Sequence, residues 1–160
     1  MKKSTRHELK AKDFQRIVLP VDGSDGSARA VAKALSLAKE TRVDITALYV
    51  MEFPYLSSVD LGYPLASIDL NSSYPDIIEI IKKRGNEVLD TVKKQGLRLG
   101  VSVKTKLVEG IPDDQIIKEA KKDDLIVMGC KGRTALSRIL VGSVCEKVLH
   151  HSKSPVMVIR

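Results

Sequence analysis

Five strand-sized apolar runs alternate with four stretches of helical period along this chain, and that order leaves few folds open to it. Ile17-Val18-Leu19 is apolar without a break inside Arg16–Val21, the pattern of a strand covered on both faces. Asp22-Gly23-Ser24 supplies a turn, and Val31, Ala34, Leu35 and Ala38 then recur at the spacing of one helix face. A second strand is expected over Val43–Val50. A long helix follows on Ile77, Ile81, Val88 and Val92, with Gly96 and Gly100 near its end. Val101–Val108 alternates as a third strand, and Pro112 opens a third helix with Ile116, Ile117 and Ala120 inward. Asp124–Met128, a last helix and Pro155–Ile159 complete the series. Strands that alternate with helices pair in parallel through helical crossovers. The expected architecture is therefore α/β: an open five-stranded, mostly parallel sheet, helices on both faces, crossovers right-handed.

The alternation breaks once, over residues 51–73, where Pro54, Gly62, Pro64 and several serines interrupt any period and aromatic residues are frequent. A connection that long reads as a flap: a lid, a partner surface or an insert. The rest forms a single domain over 14–160, preceded by a basic tail, 1–13. At 160 residues and 43% hydrophobic content the chain can bury a substantial core. Its apolar runs are too short to span a membrane, and none of signal-peptide length follows the basic start. Two cysteines, Cys130 and Cys145, make neither a disulfide framework nor a metal-ligand set, so a reduced, cytoplasmic protein is expected. The net charge is +7, but residues 1–16 carry six cations against two acids, so the excess marks a solvated tail more than a face. With 4% aromatics and no Trp there is little to stack bases on, and nucleic acid is not an expected partner.

The chemistry concentrates at Gly129-Cys130-Lys131-Gly132, followed after nine residues by Gly142-Ser143. An apolar strand leads in and a helix leads out. Backbone N–H groups at a helix start have no intrahelical partner, and glycines let that backbone approach an anion, so the pattern suits a phosphate. The Walker A spacing and the G-x-G-x-x-G fingerprint are both absent, and the lead-in strand does not suit a KH-type RNA clamp. A reading without ligand stands beside this one: the glycines shape a turn, and Ser143 with Glu146 forms a capping box. Spacing alone leaves both open. In an open parallel sheet ligands bind beyond the carboxyl ends of the strands, where strand order reverses. If strands one and four are neighbours there, Pro20-Val21-Asp22-Gly23-Ser24 faces the glycine loop. Asp22 would then accept hydrogen bonds from ribose hydroxyls, or simply cap the next helix.

Together, the run Pro20–Ser24, the Gly129–Ser143 spacing and the closing strand Pro155–Ile159 resemble the universal stress proteins, in their ATP-binding branch, over residues 14–160. The resemblance implies a Rossmann-like fold of the adenine nucleotide alpha hydrolase type. It implies ATP as ligand, Mg or Mn as its companion ion, and a homodimer paired through Pro155 to Arg160. By the same resemblance Pro20, Val21 and Asp22 belong to the nucleotide site, with Asp22 the carboxylate on the ribose or adenine side. Val50 is the backbone contact to adenine, and Met128 lines the pocket. Gly129, Gly132, Gly142 and Ser143 fall on the phosphate loop, Val144 adds an N–H donor, and Lys131, Arg133 and Arg138 are the cations nearby.

Phosphoryl transfer also needs a group to position the nucleophile. The loop offers cations and N–H donors but no base, and His150 and His151 fall on the last helix as surface or interface residues. Ser143 suits a phosphate or Mg²⁺ contact as well as a cap, and Cys130 reads as a small filler before an oxidation-sensitive thiol. The expectation is a nucleotide-dependent regulatory switch with slow or no ATP hydrolysis. A genuine ATPase and a nucleotide-free dimeric adaptor stand as alternatives.

Overall fold

The chain runs β1 (Arg16–Pro20), α1 (Asp25–Thr41), β2 (Asp44–Met51), α2 (Leu70–Leu99), β3 (Val103–Glu109), α3 (Pro112–Glu119), β4 (Asp124–Gly129), α4 (Ser143–His151) and β5 (Val156–Ile159). The computed structural model describes residues 13–52, 70–130 and 141–160, and for 70–77 the backbone alone. The tail up to residue 12, most of the flap, and Lys131, Gly132, Arg133 and Arg138 lie outside the described residues.

The strands form one sheet in the order β3-β2-β1-β4-β5. Every pair is parallel, as an alternating chain requires. Successive strand residues point to opposite faces, so the unbroken apolar run of β1 feeds two layers. Ile17 and Leu19 join Ala30, Ala34, Leu35, Leu89 and Val92 under α1 and α2. Val18 joins Leu48, Ile116, Ile126 and Val148 under α3 and α4. The α/β sheet with helices on both faces is thus the one the sequence pattern implies.

Several boundaries differ from the expectation. α2 begins at Leu70, inside the stretch expected to be irregular, because asparagine and serine start helices as readily as they fill loops. Met51 is the last residue of β2 rather than the first of the flap. β3 begins at Val103, since the Val101 N–H donates to the Gly96 carbonyl at 2.9 Å and closes off α2.

Arg16 opens β1 as expected, and beyond that it is the hub of an ion network at the amino ends of the strands. Its guanidinium donates to Asp124 through Nε (3.2 Å) and Nη2 (2.5 Å), and through Nη1 to Glu119 (3.0 Å) and Thr46 (3.2 Å). Lys106 reaches Glu119 from β3 at 2.8 Å. The network lies at the end of the sheet opposite the glycine loop.

Candidate functional site

β1 and β4 are neighbours, yet the chain leaves β1 toward β2 and leaves β4 toward β5, on opposite sides. That reversal opens a crevice at the carboxyl ends of the two strands. On the β1 side the Val21 N–H donates to the Leu48 carbonyl at 2.9 Å, and Gly23, at φ 79°, turns the chain into α1. Asp22 Oδ1 accepts the Ser24 N–H at 2.9 Å, and the Asp22 N–H donates to Ser27 Oγ at 3.3 Å. The cap of α1 is Ser24, whose Oγ accepts the Ser27 N–H at 3.2 Å. Asp22 is therefore not the helix cap. It closes the turn ahead of the cap and stands in the wall of the crevice.

On the β4 side, Gly129 is set by packing before any ligand. A Cβ there would stand 2.6 Å from both the carbonyl carbon and the oxygen of Gly26, in the first turn of α1. Beyond it the Cys130 carbonyl accepts the Gly142 N–H at 2.8 Å, which seats the start of α4 beside the end of β4. The N-cap of α4 is Gly142, with no side-chain cap, and Ser143 is the first helical residue. The capping box expected of Ser143 and Glu146 does not form, because a residue already inside the helix cannot cap it. No hydrogen bond engages Ser143 Oγ among the described residues. The first backbone bond of α4 runs from the Glu146 N–H to the Gly142 carbonyl at 2.9 Å. The N–H groups of Ser143, Val144 and Cys145 precede that bond and carry the positive end of the helix dipole.

These segments enclose a cleft of about 170 Å³. Pro20, Val21 and Asp22 line it from β1, Val50 from β2, Met128 and Gly129 from β4, and Gly142, Ser143 and Val144 from α4. The remaining cradle residues expected from sequence, Lys131, Gly132 and Arg133, lie outside the described residues. Ser24 and Cys130, from the two facing loops, also line the cleft, as do Leu48, Glu52, Pro112, Ile116, Ser27 and Cys145, which escaped the sequence reading. Leu48 was recoverable, since it shares a strand face with Val50. Pro112 and Ile116 follow the carboxyl end of β3, so the same topological rule points at them.

The β2 end adds a directional feature. In a parallel ladder consecutive residues turn their peptide groups to alternate neighbours. The Leu48 carbonyl is bonded toward β1 and the Met51 carbonyl toward Gly110 beyond β3. The Val50 peptide edge between them therefore faces the β1 side, past the last paired residue, Pro20. It presents one donor and one acceptor to the cleft beside the apolar wall of Val21, Leu48 and Ile116. Burial, and next the nearby Cys130, push the Cys145 thiol up to about 11, so it is protonated at neutral pH. His150 and His151 are exposed in the last turn of α4, away from the cleft. No group of three or more metal-ligating side chains occurs among the described residues.

The family model described as "Universal stress protein family" matches residues 13–160. The chain belongs to the universal stress protein family. Universal stress protein MJ0531 of Methanocaldococcus jannaschii is 40% identical over 149 residues, spanning 92% of this chain and 82% of the relative. The solved structure of MJ0577, from the same organism, superposes on this universal stress protein with a TM-score of 0.74 at 26% identity, covering 92% and 96% of the two chains. A universal stress protein of Archaeoglobus fulgidus solved in complex with dAMP has the same fold at 22% identity and a TM-score of 0.58, covering 92% and 99%. No helix among the described residues is long and apolar enough to cross a membrane.

Proposed function

We propose that this universal stress protein binds ATP in the cleft between β1 and β4 and acts as a nucleotide-dependent regulatory switch with slow or no hydrolysis. One observation carries the reading: the strand-order reversal brings the Asp22 carboxylate to one wall and the uncapped start of α4 to the other. Three N–H groups and the Ser143 hydroxyl suit phosphate oxygens, and a carboxylate suits ribose hydroxyls. The Val50 edge offers the donor–acceptor pair that matches N1 and the 6-amino group of adenine. Pro20 and Met128 flank the same pocket. The dAMP complex of the Archaeoglobus fulgidus relative supports an adenine nucleotide as the class of ligand. A companion Mg²⁺ or Mn²⁺ would arrive on the phosphates, which suits a site with few carboxylates of its own.

The test is to denature purified protein, identify any nucleotide released, and titrate ATP with and without Mg²⁺ by calorimetry. Asp22→Ala should weaken ATP at least about tenfold, the worth of one hydrogen bond to a charged group, and lower the stability of the free protein by about 1 kcal/mol through loss of the Ser24 N–H contact in the turn. Unaltered affinity in that variant would remove Asp22 from the site. The nucleotide-free adaptor draws support from Gly129, whose contact with Gly26 explains it without a ligand. Absence of ATP binding under every metal condition would establish that alternative.

The homodimer belongs to the same proposal. β5 is an edge strand, half-exposed along its whole length. The Pro155 and Ile159 carbonyls accept N–H bonds from β4, so the N–H of Val158 points to the open edge. Val158→Pro removes that outward donor and leaves the β4 ladder intact. It should convert a dimer into a folded monomer, read by sedimentation velocity; a persisting dimer would place the interface elsewhere.

A further inference from the structure

The two cysteines were the part of the sequence that composition set aside, and they meet at the cleft. Both are free and buried, 6% exposed at Cys130 and 2% at Cys145, yet both line the cleft wall. Their backbones are held together. The Cys130 N–H donates to the Ile159 carbonyl at 2.7 Å, and the Cys130 carbonyl takes the Gly142 N–H at 2.8 Å. Cys145 follows Gly142 by three residues, about one helical turn, so the two share the face of α4 turned toward the end of β4. The thiols are near enough for Cys130 to act on the titration of Cys145, and both face the same cleft.

We propose that Cys130 and Cys145 form a thiol pair that peroxide, entering through the cleft, oxidises to an intramolecular disulfide. The Cys130 sulfur attacks one peroxide oxygen, the O–O bond breaks, and water leaves with the thiol proton, giving a sulfenic acid. Cys145 sulfur then displaces the sulfenic oxygen as a second water, taking the proton of its own thiol. In sum two thiols and one hydrogen peroxide become one disulfide and two waters, the thiols losing two electrons. Cys130, the more exposed of the two at 6% against 2%, meets peroxide first, and the more deeply buried Cys145 is the resolving partner. The bond would tie the end of β4 to the first turn of α4, on either side of Gly142 and Ser143. A nucleotide seated in the cleft covers the approach to both sulfurs, and this coupling alone rests on the proposed nucleotide site.

The experiment treats the reduced full chain with hydrogen peroxide, with and without saturating ATP. It reads intact mass without reductant and maps the cysteine peptides. A monomer lighter by two hydrogens, with Cys130 linked to Cys145, is the expected product. Cys145→Ser should accumulate a sulfenic acid at Cys130 that dimedone traps, and ATP should slow disulfide formation about tenfold by removing exposure. Thiols that stay free, oxidise separately to sulfinic acids, or link two chains would overturn the pair. If calorimetry records bound ATP and the rate is unchanged, the cleft is not the route and the proposal falls. If ATP does not bind, the nucleotide reading fails, and the mass alone decides the thiol pair.

Discussion

Gly129→Val is expected to cost at least about 3 kcal/mol of stability, because the new side chain meets backbone that cannot move aside. Even its Cβ would stand 2.6 Å from the Gly26 carbonyl, inside any permitted contact, and Gly26 is buried in the first turn of α1. Relief would require lifting α1 from the sheet and with it the contacts of Ala30 and Ala34. Urea denaturation followed by far-UV circular dichroism measures the loss. Gly142→Val is the matching experiment. Gly142 has φ −64° and ψ 147°, open to any L residue, so its replacement costs little more than a weakened N-cap, about 1 kcal/mol. Gly142 lines the cleft, and on the proposed reading a branched side chain at this position should lower ATP affinity at least about tenfold. Two glycines of one motif would then separate, one serving the fold and the other the ligand. Equal stability losses in the two variants would refute the distinction.

Arg16→Ala is the second large effect, about 3 kcal/mol, the cost of stranding partly buried carboxylates. The Asp124 side chain is 5% exposed and that of Glu119 13%. Without the guanidinium, Asp124 keeps only the Lys121 N–H, at 2.8 Å, among its described partners. The pH dependence identifies the cause. Burial works to raise the Asp124 pKa, but the Arg16 hydrogen bonds, the Lys121 N–H and the nearby positive charges outweigh it and hold the carboxyl below its ordinary value. A carboxyl with a depressed folded pKa contributes stability that is complete above its unfolded value, about 3.9, and is lost as pH falls through the folded value. The gap between wild type and variant should therefore be full at pH 7 and shrink below about pH 4. A gap independent of pH would mean that packing of the arginine stem, not its charge, is what was lost.

The fold was legible because its signals are local. Ile17-Val18-Leu19 announces a strand buried on both faces, and Val31, Ala34, Leu35 and Ala38 announce one helix face; each pattern is complete within a few residues. The site was legible at one remove: once the strands alternate with helices, the carboxyl-end rule places Asp22 opposite the start of α4. What escaped depends on contacts between segments distant in the chain. The reason for Gly129 is the backbone of Gly26, and the reason for Arg16 is a pair of acids more than a hundred residues away. Neither leaves a local trace. Ser143 was misread for a smaller cause, a helix starting one residue earlier than its sequence suggests, which turns a cap into a free hydroxyl. Cys130 and Cys145 looked unrelated because nothing local in the sequence shows the hydrogen bond from Gly142 to Cys130 that seats the start of α4 beside the end of β4.

The contact between Gly129 and Gly26 has a mechanical consequence. Backbone there rests on backbone, so the end of β4 and the opening turn of α1 form a single stiff jaw that holds Asp22 on one side and the entry to α4 on the other. Such a jaw gains little by closing, and a ligand that fits it has little domain motion to drive. Any message that occupancy sends is then written in charge: a polyphosphate set into the rim adds negative charge there without bending the sheet. A partner would read the loaded state as added negative charge at the surface.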